Sequence, residues 1–471
     1  MFKFVKPEDV GYSSKSLKIL RDKLDKNNLR IHTLIIAKDN NIFFHINNGI
    51  YDENSIHRMY SQTKSFVAIA IGLLFDDKKI KLTDKLSKYF PEYIDENTDK
   101  ILLNQTIEET LKMGTCISCE DWFVSPINDR VKLYFKQKHN RKCMDKFEYD
   151  SAASMVLSAL VEKITKKDLF TFLYQRILKH LNYFDDAYIL KTPSGRSWGD
   201  SGMMCSTIAT LSLGKFLLDK GKVNNKQLLS EEYINKATRK YLATPNENAK
   251  CKRYGYGYQI WMNKDGYAFY GMGNQVTLIY PKFNIVASMT GNAFDKQGLA
   301  RDYIIDEIYK VISQKKKVDN IIVKFNKQIS IFKNKKINND LLEKYINKEF
   351  ISSNGFINAF KLTKKGICFK INKKTYNLAI KSDKTIKTSI KDIYSNDRVV
   401  KLPIHDTYDL YVGIEDSSPN KLLLQGQIIG DYFAIMKLEI IFKENNAKLT
   451  LKTYAENFLN KYNGEFNFAI F

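Results

Sequence analysis

The sequence predicts an α+β fold, one antiparallel sheet flanked by helices, with a smaller all-β domain after it. Three observations carry this. Strand-like runs sit at both ends of the first 300 or so residues, in "HTLIIAKDNNIFFHINNG" and then "YGYGYQIWMN", "GYAFYGMG", "NQVTLIYP" and "NIVASMTGN". Helical periodicity fills the span between them. The last part alternates apolar and polar residues in "TYNLAIKS", "DLYVGIE", "KLLLQGQIIG" and "AKLTLKTY", the period of half-buried strands. At 471 residues the chain is also longer than one hydrophobic core usually spans. The expected organisation is a first domain over 1–313, a lysine-rich linker over 314–330 and a small β-rich domain over 331–471.

In chain order, residues 13–28 read as an amphipathic helix, with Leu17, Ile19, Leu20 and Leu24 on one side. A hairpin turning at Asp39-Asn40-Asn41 follows. The run "FVAIAIGLLF" is a helix apolar nearly all round, hence buried. "TIEETLKM", "SAASMVLSALVEKIT", "KDLFTFLYQRILKHL" and "STIATLSLGKFLLDKG" are further helices, and "GLARDYIIDEIYKVIS" closes the first domain. Strands before and after a block of helices imply one sheet with helical layers.

Composition narrows the function. The net charge of +23 invites a nucleic-acid reading, but lysine is spread along the whole chain, without a basic helix or an aromatic-glycine RNA motif. No nucleic-acid partner is expected. The longest apolar run, Phe66 to Phe75, is too short to span a bilayer, and the start "MFKFVKPEDVGYSSKS" lacks an apolar signal core. Six cysteines without framework spacing fit a reducing compartment, so the expected location is cytoplasmic. Cys116, Cys119, His139 and Cys143 superficially offer four zinc ligands, but the segment between them is longer than in a standard finger and has no ββα pattern. No metal and no organic cofactor are expected.

The chemistry lies in S-x-x-K. The pattern is cheap in a lysine-rich chain and occurs five times: Ser61/Lys64, Ser212/Lys215, Ser313/Lys316, Ser330/Lys333 and Ser418/Lys421. Residues three apart share a helix face, so the amine can reach the hydroxyl. Only Ser61 stands at the mouth of an all-apolar helix. Burial disfavours the charged form of a lysine, so its amine can take a serine proton near neutral pH. The helix N-terminus adds a positive dipole end and free N–H groups suited to an oxyanion. A second candidate is Tyr149-Asp150-Ser151 ahead of a long helix, where a tyrosine hydroxyl could relay a proton. Alone, Tyr149 reads as a packing aromatic. Its weight comes from the combination.

These motifs resemble the serine hydrolases of the β-lactamase and penicillin-recognising superfamily, in the branch of class C β-lactamases, esterases and 6-aminohexanoate-oligomer hydrolases. The resemblance covers about residues 8–313 through "YSQTKSF", "YDS", "WGDSGMMCSTIATLSLGKFLLDKG" and "YGMGNQVTLIYP". It implies that Ser61 is acylated, that Lys64 is its base and that Tyr149 moves protons to and from the leaving group. The N–H of Ser61 and one just after Gly273 would form the oxyanion hole, with Ser151, Gly271, Asn274 and Gln275 near the substrate. Two departures matter. Ser151 stands where the family commonly has Asn, and Gly271-Met272-Gly273 stands where β-lactam-recognising relatives have Lys-Thr-Gly. The missing lysine removes the grip on a substrate carboxylate, which points to a small ester or uncharged amide. For Gln275 the competing reading is a polar residue at a strand edge. The competing functions are a catalytically weak penicillin-binding-type ligand sensor and a true β-lactamase or D-amino-acid peptidase.

Overall fold

The computed structural model describes the chain except residues 28, 118–124, 126, 142–144, 245–253, 294–298, 315–333, 353–354, 372–373, 382–385, 392–406, 430–433, 455–462 and 471. The expected linker beyond residue 314 thus lies outside the described residues. Contacts divide the chain into two compact units, Met1–Ile329 with Asp397–Leu402, and Ser330–Asn396 with Pro403–Phe471.

The first unit opens with strand β1 (Lys3–Phe4), helix α1 (Ser14–Lys26, capped by the Ser13 hydroxyl) and the hairpin β2 (Ile31–Lys38) and β3 (Asn41–Asn47). Short strand β4 (Ile56–Arg58) leads to α2 (Thr63–Asp76). A helical region follows: α3 (Ile107–Leu111), α4 (Arg130–Lys136), α5 (Ser151–Thr165), α6 (Leu169–Arg176), α7 (Thr207–Leu218) and α8 (Glu231–Ala237). It is interrupted by β5 (Tyr188–Ile189), β6 (Met203–Ser206), β7 (Lys222–Val223) and β8 (Lys226–Gln227). The chain then returns as β9 (Trp261–Asn263), β10 (Gly266–Gly271), β11 (Gln275–Tyr280), β12 (Ile285–Gly291) and α9 (Leu299–Ile312).

The sheet order β1-β3-β2-β12-β11-β10-β9 joins the first hairpin to the late strands, as the sequence pattern implied. All its pairings are antiparallel except the short β1–β3 contact. One face is covered by α1 and α9, whose Leu17, Leu20, Leu24, Ile304 and Ile308 pack on Leu34, Ile36, Leu278 and Ala287. On the other face α7 comes close enough that a Cβ on Gly214 would lie 2.7 Å from Val286. Every residue of α2 from Thr63 to Leu74 is buried, as its all-round apolar sequence requires. No described helix is long and apolar enough to cross a membrane.

Four details differ from the sequence reading. Ile19, expected beside Leu17, Leu20 and Leu24, is 47% exposed, because a residue two positions on from Leu17 turns away from the face those leucines share. Of "YGYGYQIWMN" only Trp261–Asn263 is strand, and Tyr256 ahead of it makes isolated bridges to Leu242 and Trp261. The span expected to be helical contains β6, which pairs with β4 and β5 in a separate small sheet. The second unit, expected to be all β, also carries helix α10 (Asn339–Tyr345). Among the described residues its sheet has ten antiparallel strands. The first and last, Glu349–Ile351 and Gly464–Ala469, pair in the middle through Ile351 and Ala469. The edge strands, Lys374–Ala379 and Ile386–Lys391, are consecutive in sequence and lie close together, so the sheet nearly closes as a barrel. Its inner face is apolar, with Ile414, Leu424, Ile440 and Leu449 buried.

Candidate active site

Ser61 lies in a single 3-10 turn, Tyr60–Gln62, between the end of β4 and the start of α2. Several side chains fix this turn. The Thr63 hydroxyl accepts from the Met203 N–H at 3.0 Å, and Gln62 Oε1 accepts from Thr277 Oγ1 at 2.9 Å. Tyr60 has φ of 48°, a left-handed conformation costly for a bulky residue that needs surrounding packing to persist. The Arg58 guanidinium lies 4.5 Å from the Tyr60 ring centroid and 4.2 Å from that of Trp198. It also donates to the Ser201 carbonyl and hydroxyl, each at 3.0 Å. Arg58, Tyr60 and Trp198 are all buried, whereas Ser61 is only half-buried.

Lys64 follows one turn later, 1% exposed, and its Nζ donates to Ser61 Oγ at 3.2 Å and to the Asp200 carbonyl at 2.8 Å. The same nitrogen lies 5.0 Å from the centroid of the Tyr149 ring. Tyr149 is 36% exposed, stacks on Trp261 at 5.7 Å, and forms no hydroxyl hydrogen bond among the described residues. The three residues singled out from sequence therefore meet in one place. Ser151, the first residue of α5, is partly exposed beside them.

Two carboxyls lie against this group, neither of them evident from sequence. Asp150 caps α5, with Oδ1 accepting from the Ala152 N–H at 2.9 Å, and is 3% exposed. Asp200 is 2% exposed and reaches its position because Gly199 lets α5 close in; a Cβ on Gly199 would lie 2.1 Å from that of Ser158. Asp150 Oδ2 and Asp200 Oδ1 are buried without a hydrogen-bond partner. Burial pushes the Asp150 carboxyl up to about 6, with Arg141 and Lys64 opposing the rise, and it pushes Asp200 upward too, against Lys64, Arg130 and Arg58.

A stability prediction follows for Asp150. A carboxyl whose folded value lies above its unfolded value stabilises the fold while protonated, and that contribution is lost as pH rises through the folded value. Wild-type protein should therefore lose stability between about pH 4 and pH 6 relative to Asp150→Asn, which keeps an N-cap acceptor. From the value of about 6, the difference between the two proteins should change by up to about 3 kcal/mol across that range. Denaturant melts at pH 4 and pH 7 measure it. A difference that does not move with pH contradicts the carboxyl's placement.

The third motif closes the site from the sheet side. β10 ends at Gly271, and Met272, Gly273 and Asn274 turn the chain into β11, with φ of 75° at Gly273 and 72° at Asn274. The Gly273 carbonyl accepts from the Ala293 N–H at 3.1 Å. A Cβ on Gly271 would lie 2.2 Å from the carbonyl oxygen of Met59, so the strand end rests on the backbone two residues ahead of Ser61. Asn274 is buried, with its Nδ2 unpartnered. Gln275 is wholly buried and engaged with the main chain: Nε2 donates to the Met272 and Gly291 carbonyls at 3.1 and 2.8 Å, and Oε1 accepts from the Gly291 N–H at 3.2 Å. That arrangement is the strand-edge alternative for Gln275, an anchor of β11 on β12.

Gln259 is a residue that sequence reasoning passed over. Its φ is 54°, and it is 1% exposed. Its carbonyl accepts from Ser65 Oγ at 2.8 Å, its Oε1 accepts from Ser154 Oγ at 2.5 Å, and its Nε2 donates to the Thr110 and Leu111 carbonyls, both at 3.1 Å. One residue thus ties α2, which carries Lys64, to α5, which follows Tyr149, the first through its carbonyl and the second through its side chain. The only available signal was a glutamine among aromatics in "YGYGYQIW". Of the supposed zinc ligands, Cys116 is buried with a free thiol and His139 Nδ1 pairs with Asp99 at 2.8 Å. Cys119 and Cys143 lie outside the described residues. No metal-ligand cluster occurs among the described residues.

The family described as Beta-lactamase matches residues 19–310. Among curated proteins, Protein flp of Staphylococcus aureus (strain N315) is 22% identical over 179 residues, which is 35% of this chain. That match spans 36% of the relative's own length. Two solved structures share the fold. A Bacillus anthracis protein assigned as a 6-aminohexanoate-dimer hydrolase matches 62% of this chain and 81% of its own, at 18% identity and a TM-score of 0.55. An octameric penicillin-binding protein homologue from Pyrococcus abyssi matches 96% of this chain and 99% of its own, at 15% identity and a TM-score of 0.50. Ser61, Lys64, Tyr149 and the β10–β11 turn all fall within the matched span, and the chain belongs to the β-lactamase family.

Proposed function

We propose that this protein is a serine hydrolase that cleaves a small ester or uncharged amide through an acyl-enzyme. The observation that carries the reading is Lys64 Nζ at 3.2 Å from Ser61 Oγ in a buried setting. The neutral amine of Lys64 takes the hydroxyl proton as Oγ bonds to the substrate carbonyl carbon. The carbonyl electrons move onto oxygen, which the N–H groups of Ser61 and Asn274 stabilise. When the tetrahedral intermediate collapses, the bond to the leaving group breaks and Tyr149 passes it the proton held by Lys64. Water then attacks the ester carbon by the reverse route, giving the acid and free Ser61. Ser151 orients the substrate. No metal, organic cofactor, nucleic acid or membrane takes part, and the cytoplasm is the proposed compartment.

The substrate class rests on charge. A carboxylate held by a lysine gains roughly 1.5–3 kcal/mol, or about ten- to a hundredfold in specificity constant. This site has glycine there. Arg196, a possible substitute, donates to the Tyr93 hydroxyl at 3.0 Å, with Asp129 at 4.0 Å. Arg253 lies outside the described residues. Purified protein should hydrolyse short p-nitrophenyl esters with a higher kcat/KM than nitrocefin. Faster cleavage of nitrocefin than of every neutral ester would replace the reading with a β-lactamase. A stoichiometric burst without turnover would replace it with a covalent sensor.

A further inference from the structure

Lys64 is buried, yet both oxygens it donates to are neutral, the Ser61 hydroxyl and the Asp200 main-chain carbonyl. Among the described residues no carboxylate forms a salt bridge with it. Two buried acids that feel its charge are set one step back. Asp200 carries its carboxyl on the very residue whose carbonyl holds Nζ. Asp150 adjoins Tyr149, whose ring faces Nζ at 5.0 Å. Each has one carboxyl oxygen sealed from solvent without a hydrogen-bond partner.

We propose that Asp150 and Asp200 are positioning residues that set the charge state of Lys64, and with it the pH at which Ser61 becomes reactive. The inference deepens the serine-hydrolase reading and rests on it. An unsolvated, unpaired carboxylate persists only in the field of nearby cations. Those cations can be named. Lys64 acts electrostatically on both acids, Arg141 on Asp150, and Arg58 and Arg130 on Asp200. Arg141 is itself paired with Glu148 at 3.1 Å. Asp200 also opposes the ionisation of Asp150. The two acids are therefore coupled to each other. A carboxylate beside the ammonium stabilises it and delays formation of the amine that accepts the Ser61 proton. A neutral carboxyl releases that hold. Burial places the Asp150 transition at about 6, within the range where an enzyme of this kind works.

Asp150→Asn and Asp200→Asn each remove a negative charge near Lys64, so the amine should form at lower pH. The reading is the rate constant for acylation of Ser61 by a fluorophosphonate across pH 4–9. Its acid limb should move down by about one pH unit in each variant, and Asp150→Glu should return it toward the wild-type position. A purely structural role would lower the rate evenly at all pH values. A limb that stays at the wild-type position in both Asn variants overturns the inference, while labelled wild-type Ser61 keeps the hydrolase reading intact. If wild-type Ser61 is not labelled at all, both fall together.

A second measurement needs no variant. Infrared difference spectra of wild-type protein, taken before and after acylation near pH 6, should show a change in carboxyl ionisation. A flat carboxyl region refutes the proposal even if a variant fails to fold.

Discussion

Replacing Ser61 by alanine should abolish labelling by a fluorophosphonate probe and lower turnover of a neutral ester by about a thousandfold or more, whereas Ser212→Ala should leave both at the wild-type level. The contrast is sharp because both serines begin an S-x-x-K whose lysine lies on a helix of the first unit, α2 for Lys64 and α7 for Lys215. Ser212 is committed within α7, where its hydroxyl donates to the Ala209 carbonyl at 2.7 Å, and Lys215 is paired with Asp219 at 2.5 Å. Neither group of that second pair is available to the other. Ser61 is half-buried, accepts from Lys64, and sits where the 3-10 turn leaves its hydroxyl at the edge of α2. Intact-mass measurement of the labelled protein, followed by peptide mapping, checks the site. Labelling that survives loss of Ser61 moves the chemistry elsewhere and removes the basis of the acyl-enzyme.

The helix behind Ser61 was legible because a run apolar on every side has one home, the interior, and that home makes a neighbouring serine and lysine unusual. The central sheet was legible for a similar reason: its hairpin turn and its four late runs are local signals. What stayed hidden depends on contacts between distant segments. β6 is a run of four residues, "MMCS", that has no alternation to show and becomes a strand only by pairing with β4, His57 opposite Cys205. Gln259 reveals nothing locally, since its role comes from three helices converging on it. Asp150 and Asp200 look like ordinary surface acids in "YDS" and "WGDSG". Their weight comes from burial against Lys64. For Gln275, sequence left two readings even, and three main-chain hydrogen bonds favour the structural one.

The third motif shows the same limit, and it leads to the other large effect. Sequence reveals only that the lysine of the β-lactam-recognising relatives is missing at Gly271. Packing adds that no side chain fits there. A Cβ would lie 2.2 Å from the Met59 carbonyl oxygen and 3.0 Å from the Gln275 Cβ, and the first of these is main chain that cannot swing aside. Gly271→Ala should therefore push β10 away from the residues preceding Ser61. Overpacking of this kind typically costs about 1–3 kcal/mol, and moving a nucleophile by about 1 Å can cost a hundredfold in rate. The expected result is a melting temperature lower by several degrees, together with roughly a hundredfold slower acylation of Ser61. Gly271→Lys should behave no better and should gain no preference for substrates bearing a carboxylate, because the displaced strand no longer presents a motif to grip one. Thermal melts and acylation rates of both variants measure this directly. If Gly271→Ala melts with wild type and acylates at the wild-type rate, the close approach to Met59 is wrong. If Gly271→Lys folds and turns the enzyme toward carboxylated substrates, the site tolerates the cation after all, and the preference for neutral substrates reflects only the identity of one residue.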